Sequence, residues 1–475
     1  MRIVTICIIL SIALIKTKAQ QNNTLFLMHD LPQSNIVNPS IPIKCKLHIA
    51  MPFLGSTHIN TYSTGFSFSD VVETYNGDSL RFNPDKAIHK FNNIEVVATE
   101  AHISILSIGI MHKQNYFTFS INEKVNTYHS LSKNALIFAN EGNSQFVGKY
   151  SSMDGTRINA IHYREYALGW ARKINDYLNI GIRAKLLFGK GNIYTKPILA
   201  RLNTDPYTYN LNLEGVGDLY SSFPIDIITN SEGDIEEVDM QDNINWTKYA
   251  LNTQNKGVGL DLGMTYQIDE KTTFSASLLD IGFIKWNSNT NHFHSGGRLD
   301  VSADTFNEGL DDSEEMADTL SAIFNPVINQ EAYSTPLVPA LYTGISRDLN
   351  SRTNIGAVFH TEMYQNRWHP SLTFSSNSTF GNILAISASY TIQNKQLNNI
   401  GMGLGAKLGF IYLHAISDNV PAFFDLGKAR NINLRFGISY LFKCNEKSTE
   451  RGALPCFGEP YRAVKTNTRK PYKKK

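Results

Sequence analysis

Residues 178–188 read Leu-Asn-Ile-Gly-Ile-Arg-Ala-Lys-Leu-Leu-Phe, and the order of side chains in this stretch decides the fold. One face of the segment is apolar and consists of Leu178, Ile180, Ile182, Ala184, Leu186 and Phe188. The other face is mostly polar or glycine, with Arg183 and Lys185 at its centre. A period of two residues is typical of a β-strand whose two faces meet different surroundings. The segment is longer than the usual strand of about five or six residues and matches the roughly nine to eleven of a tilted strand that crosses a bilayer.

The same alternation recurs in later parts of the chain. Residues 257–267 and 400–408 set apolar side chains against a second face that is rich in glycine, and residues 433–442 repeat the pattern as far as Phe442. A sheet can lie in lipid only when it closes into a barrel, because an open edge leaves backbone groups without hydrogen-bond partners. The alternation therefore favours a closed sheet with its apolar face outward.

The connections between these segments support a barrel. Short links occur at residues 112–115, 173–179, 268–272 and 348–353. Long polar stretches occupy residues 125–160, 190–255 and 287–337. Short and long connections that alternate along the chain are typical of an up-and-down barrel with short periplasmic turns and long extracellular loops.

The pattern thus predicts an all-β fold, a transmembrane antiparallel β-barrel over residues 43–442. Fifteen segments alternate in this way, whereas single-chain bacterial barrels have even strand numbers. The first two segments, residues 43–53 and 57–68, are the weakest and can form one bent strand. We therefore expect about 14 strands.

Composition excludes several other classes of protein. The mean hydropathy of −0.23 over 475 residues argues against a polytopic helical membrane protein, whose spans each need about 20 apolar residues. An aromatic content of 11% argues against disorder throughout. A net charge of +2 gives no reason to expect nucleic acid as a partner.

The first nineteen residues predict export. Met1-Arg2 precedes an apolar run over residues 3–15, and Ala19 follows as a small residue at the expected cleavage site. This is the organisation of a signal peptide, and the run is too short to span a membrane as a helix. We expect residues 1–19 to be removed and the barrel to lie in the outer membrane of a Gram-negative bacterium.

Three cysteines remain after this cleavage: Cys45, Cys444 and Cys456. An exported chain reaches an oxidising space, where neighbouring thiols pair. Cys444 and Cys456 are close in sequence, which predicts a disulfide between them, with two free thiols as the alternative. They belong to a basic tail, residues 443–475, with ten Lys/Arg and three Glu. Such a tail is typical of a solvated periplasmic extension; contact with a periplasmic partner or an anionic surface is the alternative.

Three motifs carry a resemblance to a known family. They are Leu25-Phe-Leu-Met-His-Asp-Leu-Pro-Gln-Ser-Asn-Ile-Val-Asn-Pro39, Tyr163-Arg-Glu-Tyr-Ala-Leu-Gly169 and Leu278-Leu-Asp-Ile-Gly-Phe283. With the closing strand that ends at Phe442, they resemble an uncharacterised family of Bacteroidota outer-membrane proteins. That family is similar in outline to the fatty-acid channel FadL and to the PorV-type barrels of type 9 secretion.

The resemblance implies fourteen strands and an N-terminal plug segment, residues 20–42, folded into the lumen. The residues fit this expectation, because several prolines disfavour regular structure between residues 30 and 42. The side chains that can satisfy a polar lumen are Asp30, Gln33, Asn35 and Asn38. A periplasmic arm is the alternative position for this segment.

The inward faces of the predicted strands supply the candidate site. The candidate lumen-lining residues are Arg183, Lys185, Asp261, Glu362, Lys407 and Arg435. Asp261 lies on the strand expected to follow that of Arg183 and Lys185, so a cross-strand ion pair is expected. These charges either define a polar route for a solute or form an internal network that fills the barrel.

Enzymatic and metal chemistry find little support in the sequence. His292 and His294 precede Ser295, but no Gly-x-Ser-x-Gly elbow surrounds this serine. No Cys/His spacing matches a zinc site, and the acidic loops do not match the spacing of a calcium-binding loop. We therefore predict no catalytic residues, no cofactor and no metal, and we do not expect an enzyme.

The leading hypothesis for function is a FadL-like channel for a hydrophobic or amphipathic small molecule, with the plug controlling entry. The alternative is a non-transporting barrel that acts as an anchor or accessory subunit of an outer-membrane secretion or assembly complex. The expected partners are outer-membrane lipid and lipopolysaccharide, the small molecule, and periplasmic or secretion-complex proteins. The pattern gives neither the solute nor the oligomeric state.

Overall fold

The structure, a computed structural model, describes most of the predicted barrel. The described ranges are residues 22–75, 79–229, 235–241, 244–302, 327–365, 367–381, 383–393 and 396–444. The predicted signal peptide, Cys456 and all but the first two residues of the predicted tail lie outside these ranges.

Fourteen antiparallel strands of the described residues form one closed barrel. They are β1 (Cys45–Ala50 and Thr57–Ser63), β2 (Ile94–His112), β3 (Asn115–Ser132), β4 (Arg157–Lys173), β5 (Leu178–Thr195), β6 (Asn255–Gln267), β7 (Thr272–Trp286), β8 (Ala340–Asp348), β9 (Thr353–Tyr364), β10 (Arg367–Phe380), β11 (Leu384–Gln393), β12 (Gln396–Leu408), β13 (Ile411–Ser417) and β14 (Asn431–Cys444). Each strand pairs with the next, which confirms the predicted barrel and its strand number.

The barrel closes through its first strand. Leu47 in the first half of β1 lies opposite Phe442 of β14 and Ile110 of β2. The second half of β1 also pairs with β14 and β2 after a break at residues 51–56. The two weakest predicted segments are therefore one interrupted strand, as expected.

Most of the long connections lie at one end of the barrel and carry additional structure. We call this end extracellular and the end with the short turns periplasmic, following the usual arrangement of such barrels. An extracellular sheet continues the wall beyond β5 and β7 and consists of Tyr150–Ser152, Leu199–Thr204, Leu211–Ser222, Thr290–Val301, Val327–Asn329 and Tyr333–Pro336. Two further hairpins are Val72–Tyr75 with Ser79–Phe82 and Ile225–Thr229 with Ile235–Met240. The helices are α1 (Asn23–Phe26), α2 (Ser34–Val37), α3 (Phe68–Val71), α4 (Pro84–Lys90), α5 (Lys133–Glu141) and α6 (Trp246–Ala250), with 3₁₀ turns at Ser144–Phe146 and Val420–Phe423. No helix in the described part of the chain is long and apolar enough to cross a bilayer.

The outer face of the wall is apolar. Ile182, Leu186, Val258, Ile400 and Leu404 point outward and are 40–53% exposed. A protein that folds in water rarely exposes a continuous apolar band of this kind, because the band costs free energy unless hydrocarbon covers it. The closed barrel therefore has the apolar outer face of a sheet that spans a membrane.

A disulfide joins the first and last strands. Cys45 of β1 bonds Cys444 of β14, and the two residues are 399 positions apart in sequence. The prediction that Cys444 pairs with Cys456 is therefore wrong. The register of β1 and β14 sets Cys45 directly opposite Cys444. A disulfide requires thiols that are close in space, and the pairing of the two strands provides this although the residues are far apart in sequence.

The seam disulfide gives a prediction about stability. Replacing Cys45 by Ser should lower the free energy of unfolding by about 2–4 kcal/mol, because the crosslink restricts the unfolded chain. Urea unfolding of the detergent-solubilised barrel measures this loss, and non-reducing electrophoresis reports the missing crosslink. Cys456→Ser is the matched control and should leave both unchanged. An effect of Cys456→Ser with none of Cys45→Ser would contradict the assignment.

Candidate functional site

The N-terminal segment, residues 22–44, lies inside the barrel. Gln33 Nε2 donates to Ser439 Oγ of β14 at 3.0 Å, while Ser277 Oγ of β7 donates to the Val37 carbonyl at 2.6 Å. Strands β7 and β14 are half a circumference apart, so one short segment can reach both only from the lumen. We call residues 22–44 the lumenal segment.

Glycines on the inner wall make room for the lumenal segment. A methyl group at Gly181 of β5 would overlap with the main chain of Pro39, and one at Gly263 of β6 would overlap with the Asn38 side chain. Further inward-facing glycines against the segment are Gly344, Gly356, Gly401 and Gly403. The absence of side chains here lets the two backbones approach closely.

An apolar cluster holds the lumenal segment in the periplasmic half of the barrel. Leu25, Phe26, Leu27, Met28 and Leu31 are almost completely buried. The wall residues in the same cluster include Tyr342, Val358, Ala385 and Tyr412. The Phe26 ring stacks on the Tyr342 ring with 5.2 Å between centroids. Burial of this kind contributes roughly 1.5–3 kcal/mol for each large side chain, so the segment is a packed element of the barrel.

The predicted polar residues of the segment have separate roles. Asp30 forms an ion pair with Lys44 at 2.6 Å, partly exposed near the periplasmic end. Asn35 Nδ2 donates to the Ile41 carbonyl at 2.8 Å, and Asn38 Oδ1 accepts from the backbone of the residue two positions later. These bonds shape the segment, and Gln33 ties it to β14 as described above.

Buried charges lie on the wall facing this segment. Lys185 Nζ is 2.6 Å from both Asp261 Oδ1 and Asp280 Oδ1, and 3.4 Å from Glu165 Oε2. Lys124 Nζ is 2.9 Å from Glu165 Oε2. With Arg183 these residues form three cations and three anions across β3–β7. We call the six residues the charge cluster.

Arg183 links the charge cluster to the lumenal segment. Its Nη1 is 3.0 Å from Asp261 Oδ2 and donates to the Ile36 carbonyl at 3.2 Å. Its Nη2 donates to Asn35 Oδ1 at 2.8 Å. The structure thus brings together three of the predicted lumen-lining residues, Arg183, Lys185 and Asp261, in the expected cross-strand arrangement.

A β-bulge brings Asp280 into the cluster. The pairing of β6 with β7 shifts at this point, so Leu279 and Asp280 both face inward. Asp280 has a positive φ of 57°, and its backbone N–H donates to Asp261 Oδ1 at 2.8 Å. Bulges of this kind redirect a side chain, and here the redirected carboxylate completes the partners of Lys185.

Two other predicted residues lie across the lumen from the charge cluster. Glu362 Oε1 is 3.4 Å from His360 Nε2, and Glu362 Oε2 has no hydrogen-bond partner among the described residues. Arg435 Nε donates to Asn22 Oδ1 at 2.8 Å, and its Nη1 donates to Ser56 Oγ at 2.7 Å. Arg435 therefore holds the start of the lumenal segment.

Lys407 does not join these charges. It is half-buried, next to the last residue of β12, and lies opposite Tyr412 of β13. A short turn follows directly, so Lys407 lines the periplasmic rim of the lumen and not its centre.

Three buried tyrosines pack against one another at the extracellular side. Tyr62 Oη donates to Tyr364 Oη, and the rings of Tyr128 and Tyr364 stack with 4.6 Å between centroids. Tyr128 Oη donates to Glu100 Oε1 at 2.8 Å. All three tyrosines are close to the extracellular ends of their strands. We call Tyr62, Tyr128 and Tyr364 the tyrosine lid.

A cavity of about 150 Å³ lies between the lumenal segment and the tyrosine lid. Its charged lining comprises Glu100, Lys124, Glu165, Arg183, Lys185, Asp261, Asp280, Glu362 and Arg435. Leu279, Leu337 and Val338 contribute apolar surface. A cavity of this volume accommodates a molecule about the size of benzene.

Sequence reasoning missed three members of the charge cluster. Lys124 and Glu165 lie where β3 and β4 carry polar residues on both faces, so alternation does not distinguish inward from outward. Asp280 was missed because the bulge in β7 places two consecutive residues on the inner face and so interrupts the alternation. A signal existed, because Glu165 and Asp280 belong to the Tyr163–Gly169 and Leu278–Phe283 motifs.

Comparison with family models gives a match over residues 39–418 to the "Family of unknown function (DUF5723)". The chain belongs to DUF5723. This agrees with the resemblance to an uncharacterised family. A search among curated proteins gives no match.

The DUF5723 barrel is also similar in outline to solved transport channels. The toluene transporter TbuX of Ralstonia pickettii is 10% identical with a TM-score of 0.39, over 87% of this chain and 94% of that one. A FadL homologue of Pseudomonas aeruginosa is 10% identical with a TM-score of 0.37, over 90% and 100% of the two chains. The toluene transporter TodX of Pseudomonas putida is 10% identical with a TM-score of 0.34, over 86% and 91%. Identities this low do not transfer a substrate.

The charge cluster of this DUF5723 barrel gives a prediction about stability. Asp261→Asn leaves the buried Lys185 and Arg183 without their shared anion, so the free energy of unfolding should fall by about 3–5 kcal/mol. Lys44→Ala, which breaks the partly exposed pair with Asp30, should cost about 1 kcal/mol or less. Urea unfolding in detergent measures both. Equal losses in the two variants would contradict a structural role for the cluster.

Proposed function

We propose that this barrel is a plugged outer-membrane channel for a small amphipathic molecule. The observation that carries the proposal is the cavity, which charged groups line on one side and apolar groups on another, between the lumenal segment and the tyrosine lid. A cavity bounded by the lumenal segment and by Tyr128 of the tyrosine lid suits a solute that is held and then released when one boundary moves. Because the lining is both charged and apolar, we expect an amphipathic solute and not a purely hydrophobic one.

The polar end of the solute is a hydrogen-bond donor, in our proposal a protonated amine. Glu362 Oε2 is buried and has no partner among the described residues, and a buried carboxylate oxygen without a donor costs about 1–3 kcal/mol or more. The charge cluster pairs three cations with three anions, so its charges are satisfied internally. Glu100 and Glu362 add two further carboxyl groups to the same cavity, beside Arg435.

The apolar end of the solute packs against Leu279, Leu337 and Val338. Leu337 and Val338 precede β8 and reach into the cavity from the long connection between β7 and β8. Transfer of apolar surface from water to such side chains is favourable by about 25 cal/mol for each Å². A purely apolar solute would leave the charged wall desolvated, which disfavours it.

Opening of the channel requires displacement of the lumenal segment. Arg183 connects this segment to the charge cluster, and the neighbouring Pro39 contacts Gly181 closely. A solute that competes for these groups would loosen the segment, so binding and opening are coupled through Arg183.

Displacement of the segment gives a conductance prediction. Gly181→Ala should raise the conductance of the barrel in planar bilayers above that of the wild type, because the added methyl group overlaps with Pro39. The matched control is Gly217→Ala on the extracellular sheet, where the added Cβ would be 3.4 Å from Ile198. Deletion of residues 22–41 is a stronger version of the same change. The proposal fails if neither Gly181→Ala nor the deletion conducts above an empty membrane.

The solute class gives a binding prediction. Benzylamine, toluene and benzoate share one ring and differ in their polar group. Benzylamine should bind most tightly in titration calorimetry of the detergent-solubilised protein, and benzoate least. Glu362→Gln should reduce the preference for benzylamine over toluene by about tenfold, since a hydrogen bond to a charged group contributes about 1.5–3 kcal/mol. Tighter binding of benzoate than of benzylamine would refute the assigned class.

A second function has one observation in its favour. Tyr150, Tyr207, Trp246 and Phe424 are 65–90% exposed on the extracellular side, and exposed aromatic side chains are enriched at protein interfaces. These residues support an accessory role in an outer-membrane complex. Extraction from native membranes in mild detergent distinguishes the two functions, since a barrel that elutes alone argues against the accessory role.

A further inference from the structure

Two histidines and one aspartate share a face of the extracellular sheet. His292 and His294 are two positions apart on the strand Thr290–Val301, so both imidazoles point to the same side. Asp218, on the neighbouring strand, lies directly opposite His294. The three residues are remote from the lumenal cavity, and they play no part in the proposed channel function.

The three side chains converge on one carboxylate oxygen. His292 Nε2 is 2.8 Å from Asp218 Oδ1, and His294 Nδ1 is 2.9 Å from the same oxygen. All three potential ligand atoms lie within 4.8 Å of one another. In a tetrahedral site, metal–ligand bonds of about 2.0–2.2 Å place neighbouring ligand atoms roughly 3.3–3.6 Å apart, so small adjustments admit an ion.

Neighbouring side chains hold this arrangement. The Tyr220 ring stacks on the His292 ring with 4.2 Å between centroids and 3° between planes. Lys196 Nζ is 3.7 Å from Asp218 Oδ2, which leaves Oδ1 for the histidines. Partial burial alone would raise the pKa of Asp218, but hydrogen bonds from His294 and His292 and the charge of Lys196 lower it.

We propose that Asp218, His292 and His294 form a binding site for a divalent transition metal such as zinc. Two imidazoles and one carboxylate are ligands that suit zinc, copper and nickel, whereas calcium and magnesium prefer oxygen ligands alone. Each imidazole would present a lone pair to the metal and carry its ring proton on the other nitrogen. The metal replaces the two hydrogen bonds to Asp218 Oδ1. His294 is half-exposed, so water completes the coordination.

The consequence of metal binding is a crosslink outside the membrane. Asp218 belongs to the strand whose end, Leu219–Ser222, pairs with β5, and the histidines belong to the strand that follows β7. Val327–Asn329 pairs with the histidine strand at the same level. An ion at this site ties the extracellular sheet together where it leaves the barrel wall.

Zinc titration of the full-length protein without a histidine tag tests the site. After treatment with EDTA and dialysis, calorimetry should show one zinc ion bound per chain. His294→Asn and Asp218→Asn should each weaken binding at least tenfold, while His112→Asn, at the exposed periplasmic end of β2, should have no effect. Copper in place of zinc should give an electron paramagnetic resonance spectrum with nitrogen couplings, which His294→Asn diminishes.

A variant with the opposite effect separates metal binding from a structural role. Lys196→Met removes a cation beside the site and should tighten zinc binding by several-fold, although it deletes a contact of Asp218. A mere hydrogen-bonded triad predicts no zinc binding in any variant. Absence of zinc binding, or equal affinity of the wild type and His294→Asn, overturns the proposal.

Discussion

Lipid offers no hydrogen-bond partner to a peptide group, and this constraint governs the whole molecule. Every strand has to pair on both sides, so β14 must meet β1 and the sheet must close. The outer face then becomes apolar, and polar side chains have only the interior left to occupy. A barrel of fourteen strands encloses more volume than its own inward side chains fill. The lumenal segment fills part of this additional volume, and the charge cluster pairs the charged side chains that face it.

The lumenal segment and the charge cluster depend on each other through Arg183. Its guanidinium group contacts Asp261 on the wall and carbonyl and amide oxygens of the lumenal segment. A buried cation needs several acceptors in fixed positions, and neither the wall nor the segment supplies them all. Arg183 thus fixes the lumenal segment to the wall. The other residues of the charge cluster line the cavity beside the segment. A site for a small molecule arises where the packing of the lumen is incomplete.

Alternation in the sequence predicted which residues face inward wherever one face meets lipid. It succeeded for Arg183, Lys185 and Asp261, because their outward neighbours are apolar. It failed for Lys124 and Glu165, since β3 and β4 carry polar groups on both faces there. It failed for Asp280 because a bulge changes the phase of the alternation, and no periodic pattern reveals a change of phase. The Cys45–Cys444 bond was missed for a related reason, as the pairing of distant strands is a property of the closed sheet.

The glycines on the inner face indicate where another part of the chain contacts the wall, which the polarity of the side chains does not show. On a soluble sheet, a face of glycines weakens the strand. In this barrel, the lumenal segment passes so close to Gly181, Gly263 and Gly403 that no side chain would fit at these positions. A strand with an apolar face and a glycine face therefore indicates a lumen occupied by backbone.

The disulfide between Cys45 and Cys444 closes the barrel wall covalently, because it links the first strand to the last. The lumenal segment, residues 22–44, is anchored at the rim of this closed wall, next to the seam. Displacement of this packed segment would leave the seam beside its anchor crosslinked. The crosslink therefore restrains separation of the first and last strands, and after its reduction only the backbone pairing of the two strands holds the seam.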